Sequence, residues 1–156
     1  MLEVLKDYSK RGSYDDIWTP PEALEVLVPY LPTDKKLWDC APGSGVLIAH
    51  LIAGGYDVVE WDGDFLVDEP PSYDIIVTNP PFSIAKKFLR RANELGKPWC
   101  MLLPITKLGA KECRAQLSGV EVIFPSRRID FTGKKAPWFY SAWYTMDLEI
   151  GTQLVF

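Results

Sequence analysis

Short apolar strand patterns alternate with helix patterns along most of this chain, and that alternation constrains its fold more than any other feature of the sequence. Residues 73–78 are apolar on both faces of a strand, which is typical of a central strand in a parallel sheet. Residues 99–103 form a second such pattern, and residues 84–95 between them have the spacing of an amphipathic helix. This order predicts an α/β domain with a doubly wound, mostly parallel sheet whose ligands bind at the carboxyl ends of the strands.

The same alternation extends to both sides of the central strands. Towards the amino terminus, strand patterns at residues 36–39 and 56–61 enclose a helix pattern at residues 46–53. Towards the carboxyl terminus, residues 108–117 predict a further helix, and two closing strands are predicted at residues 120–124 and 142–148. The sequence therefore predicts one sheet with helices on both of its faces.

A helix start is predicted at Thr19-Pro20-Pro21-Glu22, which has the form of a capping box. Thr19 is the predicted N-cap, a proline takes the first helical position, and Glu22 stands three residues after the cap. The apolar stripe that we expect this helix to bury consists of Leu24, Leu27, Val28 and Leu31.

The composition fits one globular domain. The chain has 156 residues, of which 47% are hydrophobic and 24% are charged, so it can bury a sizeable core. No apolar run approaches the roughly 18 residues of a membrane span, and the start of the chain lacks the apolar block of a signal peptide. We therefore expect a single intracellular domain over residues 1–156, located in the cytoplasm.

Cysteine and histidine are too sparse for several kinds of site. The 3 cysteines include no C-x-x-C pair, which argues against a disulfide framework or a zinc site. His50 is the single histidine, so chemistry that needs a histidine cluster is excluded. We expect no metal.

Charge is distributed unevenly along the chain. Residues 1–78 carry 5 basic and 15 acidic residues, whereas residues 79–156 carry 12 basic and 6 acidic residues. An acidic half joined to a basic half indicates two different partners, one cationic and one anionic. The alternative is that these are solvated surface charges placed by chance.

A glycine-rich turn follows the first predicted strand. The dinucleotide pattern G-x-G-x-x-G fails because Ile48 stands where its third glycine is needed, and no Lys-Ser or Lys-Thr completes a Walker pattern. What remains is Asp39, three residues, and then Gly43-Ser44-Gly45. This D-x-x-x-G-x-G pattern resembles the first motif of S-adenosylmethionine-dependent methyltransferases, although it can also be a simple tight turn between a strand and a helix.

The resemblance implies S-adenosylmethionine as the cofactor and a set of residues that bind it. In such enzymes an acid after the second strand receives the ribose hydroxyls, and Asp62 matches that place better than Glu60. Asp64-Phe65 resembles the later pair that contacts the adenine, with the acid on the amino group and the ring on the base. The full predicted set is Trp18, Thr19, Pro20, Asp39, Ala41, Gly43, Gly45, Asp62, Asp64, Phe65 and Asn79.

The motif Asn79-Pro80-Pro81-Phe82 follows the third predicted strand. In this position it resembles the catalytic motif of amino-group methyltransferases, above all the adenine-N6 DNA methyltransferases, including short phage-type enzymes. The resemblance implies a Rossmann-like methyltransferase fold in which these four residues are catalytic. The Asn79 side-chain oxygen and the Pro80 carbonyl oxygen can each accept one N6 hydrogen, while the prolines stiffen the loop and Phe82 stacks on a flipped base.

Other substrates share parts of this pattern. Some RNA methyltransferases and the release-factor glutamine methyltransferases also contain N-P-P-[YF], and a catalytically silent subunit that binds nucleic acid would keep the same fold. Cytosine-C5 transfer is excluded because the Pro-Cys dipeptide of those enzymes is absent.

Basic residues between the two closing strands are the predicted contacts to DNA. Arg and Lys side chains there can hold phosphates, and a tryptophan can stack beside the flipped base. These residues are Arg127, Arg128, Lys134, Lys135 and Trp138. By contrast, the basic residues of the helix pattern at 84–95 predict a solvated helix face.

The chain also departs from this family in two ways. Only Gly63 separates Asp62 from Asp64, where relatives place a helix and a strand, so we expect a sheet truncated beyond its second strand. An exposed edge of this kind can pair with a second copy of the chain in a homodimer. We expect no separate target-recognition domain within these 156 residues.

Overall fold

The computed structural model describes residues 19–131 and 139–151. Within these residues the strands, numbered in chain order, are β1 Lys36–Trp38, β2 Asp57–Val58, β3 Ile75–Thr78, β4 Trp99–Pro104, β5 Glu121–Ile123 and β6 Ser141–Met146. The α-helices are α1 Pro21–Glu25, α2 Val46–Ala53, α3 Ala85–Leu95 and α4 Lys111–Arg114. Short 3₁₀ turns cover Val28–Tyr30, Phe82–Ile84 and Ile105–Leu108.

The strands form one sheet in the order β2-β1-β3-β4-β6-β5. β1 pairs in parallel with β2 and with β3, and β3 pairs in parallel with β4, whereas β6 is antiparallel to β4 and β5. The chain thus builds outward in one direction from β1 to β2 and in the other direction from β3 to β4. In open α/β sheets ligands bind outside the carboxyl ends of the strands at such a switch point. The predicted doubly wound, mostly parallel sheet is confirmed.

Helices cover both faces of the sheet because successive side chains of a strand point to opposite sides. On one face, α1 and α2 pack in a core with Leu37 and Val77. On the other face, α3 packs in a core with Trp38 and Ile76. All six residues of β4 are buried, as expected for a strand that is covered on both sides.

The sheet ends at β2 on one side. β2 pairs with β1 in the register Leu37↔Val58, and no strand lies beyond it in the described part of the chain. The described sheet therefore ends at its second strand, as predicted. Pairing of the edge with a second copy of the chain stays a prediction.

The start of α1 differs from the predicted capping box. Pro20, in an extended conformation, is the N-cap, and no side chain caps this helix end. The Thr19 hydroxyl oxygen instead accepts a hydrogen bond from the side-chain nitrogen of Asn79 at 3.1 Å. The proline next to Thr19 places that residue one position too early to cap the helix, so its hydroxyl is available to a distant loop.

Two elements are shorter than their sequence patterns. The second strand covers only Asp57–Val58, because the chain leaves β1 before the acidic residues that follow. The predicted helix at residues 108–117 is divided into the 3₁₀ turn Ile105–Leu108 and the short helix α4, with Gly109 between them. Apolar spacing indicated the buried residues of both segments but not where their regular hydrogen bonding ends.

Candidate functional site

The predicted glycine turn and the predicted catalytic motif meet at the carboxyl ends of β1 and β3. Asp39 follows β1 directly, and Asn79 follows β3 directly. The hydroxyl of Thr78, the last residue of β3, donates a hydrogen bond to Asp39 Oδ1 at 2.7 Å. Two motifs that are far apart in the sequence are therefore joined by one buried hydrogen bond at the switch point of the sheet.

Asp39 is a buried acid with a perturbed pKa. Its side chain is 3% exposed, and burial raises the pKa to about 6, opposed by hydrogen bonds from the Thr78 hydroxyl and from the Ala41 backbone N–H at 3.2 Å. No described lysine or arginine forms a salt bridge with it. A perturbed acid at a strand end is typical of functional sites, and this one lacks a cation of its own.

The turn after Asp39 depends on two glycines. Gly43 has a φ of 51° and Gly45 a φ of 79°, in the left-handed region that glycine adopts without steric cost. A Cβ added at either position would meet no atom within 4 Å, so the space next to the turn is open. The glycines are required by the backbone conformation, and they leave room for a ligand against the turn.

Asn79 has one satisfied and one unsatisfied side-chain atom. Its Nδ2 donates to Thr19 Oγ1 at 3.1 Å, and Thr19 is itself 5% exposed. Its Oδ1 is buried and has no hydrogen-bond partner among the described residues. Leaving a buried acceptor unpaired costs about 1–3 kcal/mol, so this oxygen is set up to receive a donor from a ligand.

The rest of the motif is rigid and aromatic. Pro80 and Pro81 are buried, and Pro81 is the N-cap of the 3₁₀ turn Phe82–Ile84. Phe82 is 9% exposed and lies edge-on to Phe131, with ring centroids 6.4 Å apart, and to Phe139 at 5.9 Å. Phe131 and Phe139 were not predicted as site residues, because a phenylalanine in a loop has no sequence pattern that distinguishes it from a core residue.

The acids after β2 lie at the same rim as Asp39. β2 ends at Val58, so Glu60 stands two residues beyond that strand end, while Asp39 directly follows the end of β1. Asp62 stands two residues farther along the chain, and both acids are exposed. Glu60 is therefore the acid that follows the paired end of β2 more closely, a relation that required the observed end of β2 to be known.

Asp64 and Phe65 have structural contacts. The Asp64 carboxylate accepts from the Leu66 N–H at 2.9 Å, which holds a turn that directs Phe65 inward. The Phe65 ring is 1% exposed, stacks on Phe88 at a centroid distance of 4.9 Å, and lies edge-on to Trp38 at 5.5 Å. This differs from the expectation of a ring that packs on a bound adenine, because these core contacts leave no exposed face at position 65.

Trp61 is an aromatic residue at this rim that was not predicted as a site residue from the sequence. It follows Glu60, is half-buried, and lies edge-on to Trp38 at 5.0 Å. A Cβ at Gly63 would lie 2.2 Å from its ring, so the glycine between the two aspartates makes space for this tryptophan.

The structure describes part of the predicted DNA-binding loop. Arg127 and Arg128 are exposed, while Ile129 next to them is buried. The Tyr140 hydroxyl donates to the Pro125 carbonyl oxygen and so joins the two ends of this loop. The predicted residues Trp18, Lys134, Lys135 and Trp138 lie outside the described residues.

Residues 19–131 and 139–151 contain no group of three or more histidine, cysteine, aspartate or glutamate side chains suited to hold a metal ion. None of their helices is both long enough and apolar enough to cross a membrane.

Solved structures share the fold of this chain, although sequence comparisons give nothing. No protein-family model and no curated protein matches the sequence. The 23S rRNA methyltransferase ErmE is similar with a TM-score of 0.56 at 18% identity, over 90% of this chain and 72% of its own. A dimethyladenosine transferase from Plasmodium falciparum gives 0.53 at 11% identity, over 83% of this chain and 62% of its own.

A third solved structure matches nearly end to end. PH1948 from Pyrococcus horikoshii, described as a candidate RNA methyltransferase, gives a TM-score of 0.50 at 15% identity, over 92% of this chain and 95% of its own. Identities this low establish the architecture and leave activity to be argued from the site. The chain has a Rossmann-like methyltransferase fold, which it shares with these solved structures.

Proposed function

We propose that this protein transfers a methyl group from S-adenosylmethionine to the N6 amino group of adenine in DNA. The observation that carries this proposal is the Asn79 side chain, whose nitrogen is held by Thr19 and whose buried oxygen lacks a donor. This acceptor directly follows β3, beside the turn that begins at Asp39. A substrate amine bound at the corner would complete the hydrogen bonding of Asn79.

The residues at the turn fit S-adenosylmethionine. The ligand carries an ammonium group, a sulfonium and a ribose diol, and it has no phosphate. The open space at Gly43 and Gly45 suits a ligand against the turn. The carboxyl of Asp39, which has no salt bridge among the described residues, and the exposed acids after β2 suit a ligand with positive charge and hydroxyl donors. When bound, it supplies a methyl group on a positively charged sulfur, which is already a good leaving group.

The chain's own contribution is to prepare the amine. The N6 lone pair of adenine is delocalised into the ring, so the nitrogen is a poor nucleophile. Asn79 Oδ1 and the Pro80 carbonyl oxygen can each accept one N6 hydrogen, which draws the nitrogen towards a tetrahedral geometry. The methylated nitrogen then loses one proton to water. Phe82 supports the base, and the buried prolines keep the two acceptor oxygens in fixed positions.

Adenine in RNA is the second candidate substrate, and a specific observation favours it. Two of the solved structures with this fold are described as RNA methyltransferases, and the third is described as a dimethyladenosine transferase. The N-P-P-F motif favours DNA by resemblance, while the chemistry at the amine is the same for both polymers.

The test is methyl transfer with defined nucleic acids. The full chain is incubated with isotopically labelled S-adenosylmethionine and unmethylated DNAs of several sequences, and in parallel with RNAs, and the digested nucleosides are identified by mass spectrometry. The proposal predicts labelled N6-methyldeoxyadenosine. Label in RNA alone would reassign the polymer, and no label in any nucleic acid with an intact, cofactor-binding protein would refute the proposal.

A further inference from the structure

A cleft opens beside the motif Asn79-Pro80-Pro81-Phe82, on the side of β3 away from the glycine turn. It has a volume of about 390 Å³ and lies between the 3₁₀ turn Phe82–Ile84 and the segment that follows β4. We call it the lysine cleft. Its polar lining consists of Ser83, Lys86, Lys107, Lys111, Glu112 and Cys113.

The topology places this cleft at the same rim as Asn79. β3 and β4 are parallel neighbours with Thr78 opposite Met101, so the segments that leave their carboxyl ends are adjacent. Ser83 lies on the first of these segments, directly after Phe82, and Lys107 lies on the second. The cleft therefore begins within one turn of chain from the motif that we propose to hold the target base.

The lysine cleft has excess positive charge. Lys86 forms a salt bridge with Glu112, which compensates one of the three lysines. Lys107 and Lys111 form no salt bridge within residues 19–131 and 139–151. Two ammonium groups without a countercharge therefore face or border one cleft.

The buried thiol of Cys113 lies among the charged residues of this cleft. Burial raises the pKa of Cys113, and the ammonium groups of Lys107 and Lys86 oppose that rise. Glu112 acts in the opposite direction, and both lysines line the same cleft as Cys113. They converge on the cleft from two separate segments of the chain.

The basic residues of α3 are divided between the cleft and other contacts. Lys86 lines the cleft, whereas Arg90 pairs with Glu94 at 3.7 Å and Arg91 donates to the Asp68 carbonyl oxygen at 3.2 Å. The predicted solvated face of this helix is thus correct for Lys86, Lys87 and Arg90, which are exposed, whereas Arg91 is partly buried.

We propose that the lysine cleft binds a phosphate of the DNA strand that carries the target adenine. This inference rests on the proposed function. The sugar connects a flipped base to its own phosphates, so those phosphates must lie within one nucleotide of the Asn79 corner. The cleft is a basic surface that begins at Ser83, directly after the motif, and its lysines can hold a phosphate as point charges without reading sequence. The resulting contact fixes the strand and adds no base specificity.

The experiment compares two double variants that remove equal charge. Lys107→Gln with Lys111→Gln removes the unpaired charges of the cleft, and Lys35→Gln with Lys87→Gln removes two exposed lysines that do not line it. Binding of fluorescently labelled duplex DNA is measured by anisotropy without cofactor, from about 50 to 200 mM salt. Thermal melting and calorimetry with S-adenosylmethionine check the fold and the cofactor site.

We expect the cleft variant to bind DNA about five- to tenfold more weakly, with a salt slope lower by about 1 to 2. The control variant should stay within about twofold of wild type, and Lys107→Arg with Lys111→Arg should retain binding. Equal losses of affinity in the cleft and control variants, or no loss in either, would overturn the proposal that the cleft binds a phosphate. DNA methylation by the wild-type protein would still support the proposed function in that case. If the cleft variant lost affinity for RNA but kept its affinity for DNA, the assignment of the cleft to DNA would be overturned. A wild-type protein that binds and methylates no nucleic acid would overturn both proposals.

Discussion

The two sides of the rim around Asn79 carry opposite charge. Beyond β1 and β2 the side chains are acidic, with Asp39 buried and Glu60, Asp62 and Asp64 exposed. Beyond β3 and β4 lies the lysine cleft. The sheet explains this difference, because the chain before the switch point builds one side and the chain after it builds the other. The uneven charge of the two sequence halves thereby becomes a separation in space.

This separation suits a reaction between a cation and a polyanion. An acidic side attracts a positively charged methyl donor, and a basic side attracts a nucleic acid backbone. Asn79 follows β3, which lies between β1 and β4 in the sheet, so it stands where the two sides meet. Substitutions can therefore affect one side, the other, or the corner between them.

The largest effect should come from the corner itself. Asn79→Ala removes the acceptor oxygen, and we expect kcat to fall by about 10²- to 10³-fold while the Kd for S-adenosylmethionine changes little. Asn79→Asp keeps an acceptor of the same shape and should retain more activity than Asn79→Ala. Single-turnover methylation and calorimetry measure the two quantities, and an Asn79→Ala protein with normal turnover would remove Asn79 from the mechanism.

The next largest effect concerns the buried acid. The folded-state pKa of Asp39, about 6, lies above the ordinary aspartate value of 3.8, so the folded state binds a proton more tightly than the unfolded chain. The carboxyl therefore destabilises the fold as the pH rises from about 4 to 6, and at pH 7 Asp39→Asn should raise the free energy of unfolding by up to about 3 kcal/mol.

The same substitution should weaken cofactor binding, so stability and affinity would change in opposite directions. Thermal melting across pH should show a gain for Asp39→Asn that appears between about pH 4 and 6. The matched control at an exposed strand residue, Asp57→Asn, should change the melting temperature little, because it removes only a surface salt bridge with Lys36. A loss of stability in Asp39→Asn at pH 7 would mean that its hydrogen bonds outweigh its desolvation.

A smaller effect should identify the acid that serves the cofactor. Because Glu60 follows the paired end of β2 more closely than Asp62 does, we expect that Glu60→Gln raises the Kd for S-adenosylmethionine about tenfold, whereas Asp62→Asn changes it less. DNA binding should be unchanged or slightly stronger in both variants, because each removes a negative charge. A larger effect at Asp62 would restore the assignment drawn from the sequence resemblance.

The smallest effect should distinguish the two aromatic residues on the acidic side. Trp61 is half-buried at the rim, so Trp61→Ala should raise the cofactor Kd a few-fold. A change of this size corresponds to the loss of one aromatic contact with the cofactor. Phe65→Leu should instead lower the melting temperature, because its ring packs between Phe88 and Trp38. Cofactor titration and thermal melting of both variants would separate the roles, and an affinity loss only in Phe65→Leu would reverse them.

The elements of the fold could be predicted where the apolar pattern is long. Residues 46–53 and 84–95 gave helices that match α2 and α3 closely, since each buries a regular stripe. The second strand and the helix at residues 108–117 were predicted too long. Their ends depend on where backbone hydrogen bonding stops, and side-chain periodicity does not carry that information.

The site could be predicted to the extent that it follows strand ends. Because parallel strands place their carboxyl ends at one rim, the proximity of the glycine turn and Asn79 was accessible from the sequence. The contact of Thr19 with Asn79 was not, since it joins residues far apart and replaces a plausible local cap. Nor were Lys107 and Lys111, which have no pattern until the folded chain brings them to one cleft.

The hydrogen bond between Thr78 and Asp39 has a thermodynamic consequence. Whatever fills the space at Asp39 alters the charge or position of a carboxyl that is bonded to the residue immediately before Asn79. The affinities for methyl donor and methyl acceptor should then be linked, and any factor by which one strengthens the other must be reciprocated equally. A single interstrand contact would thus make the two ligands cooperative, with no movement of domains.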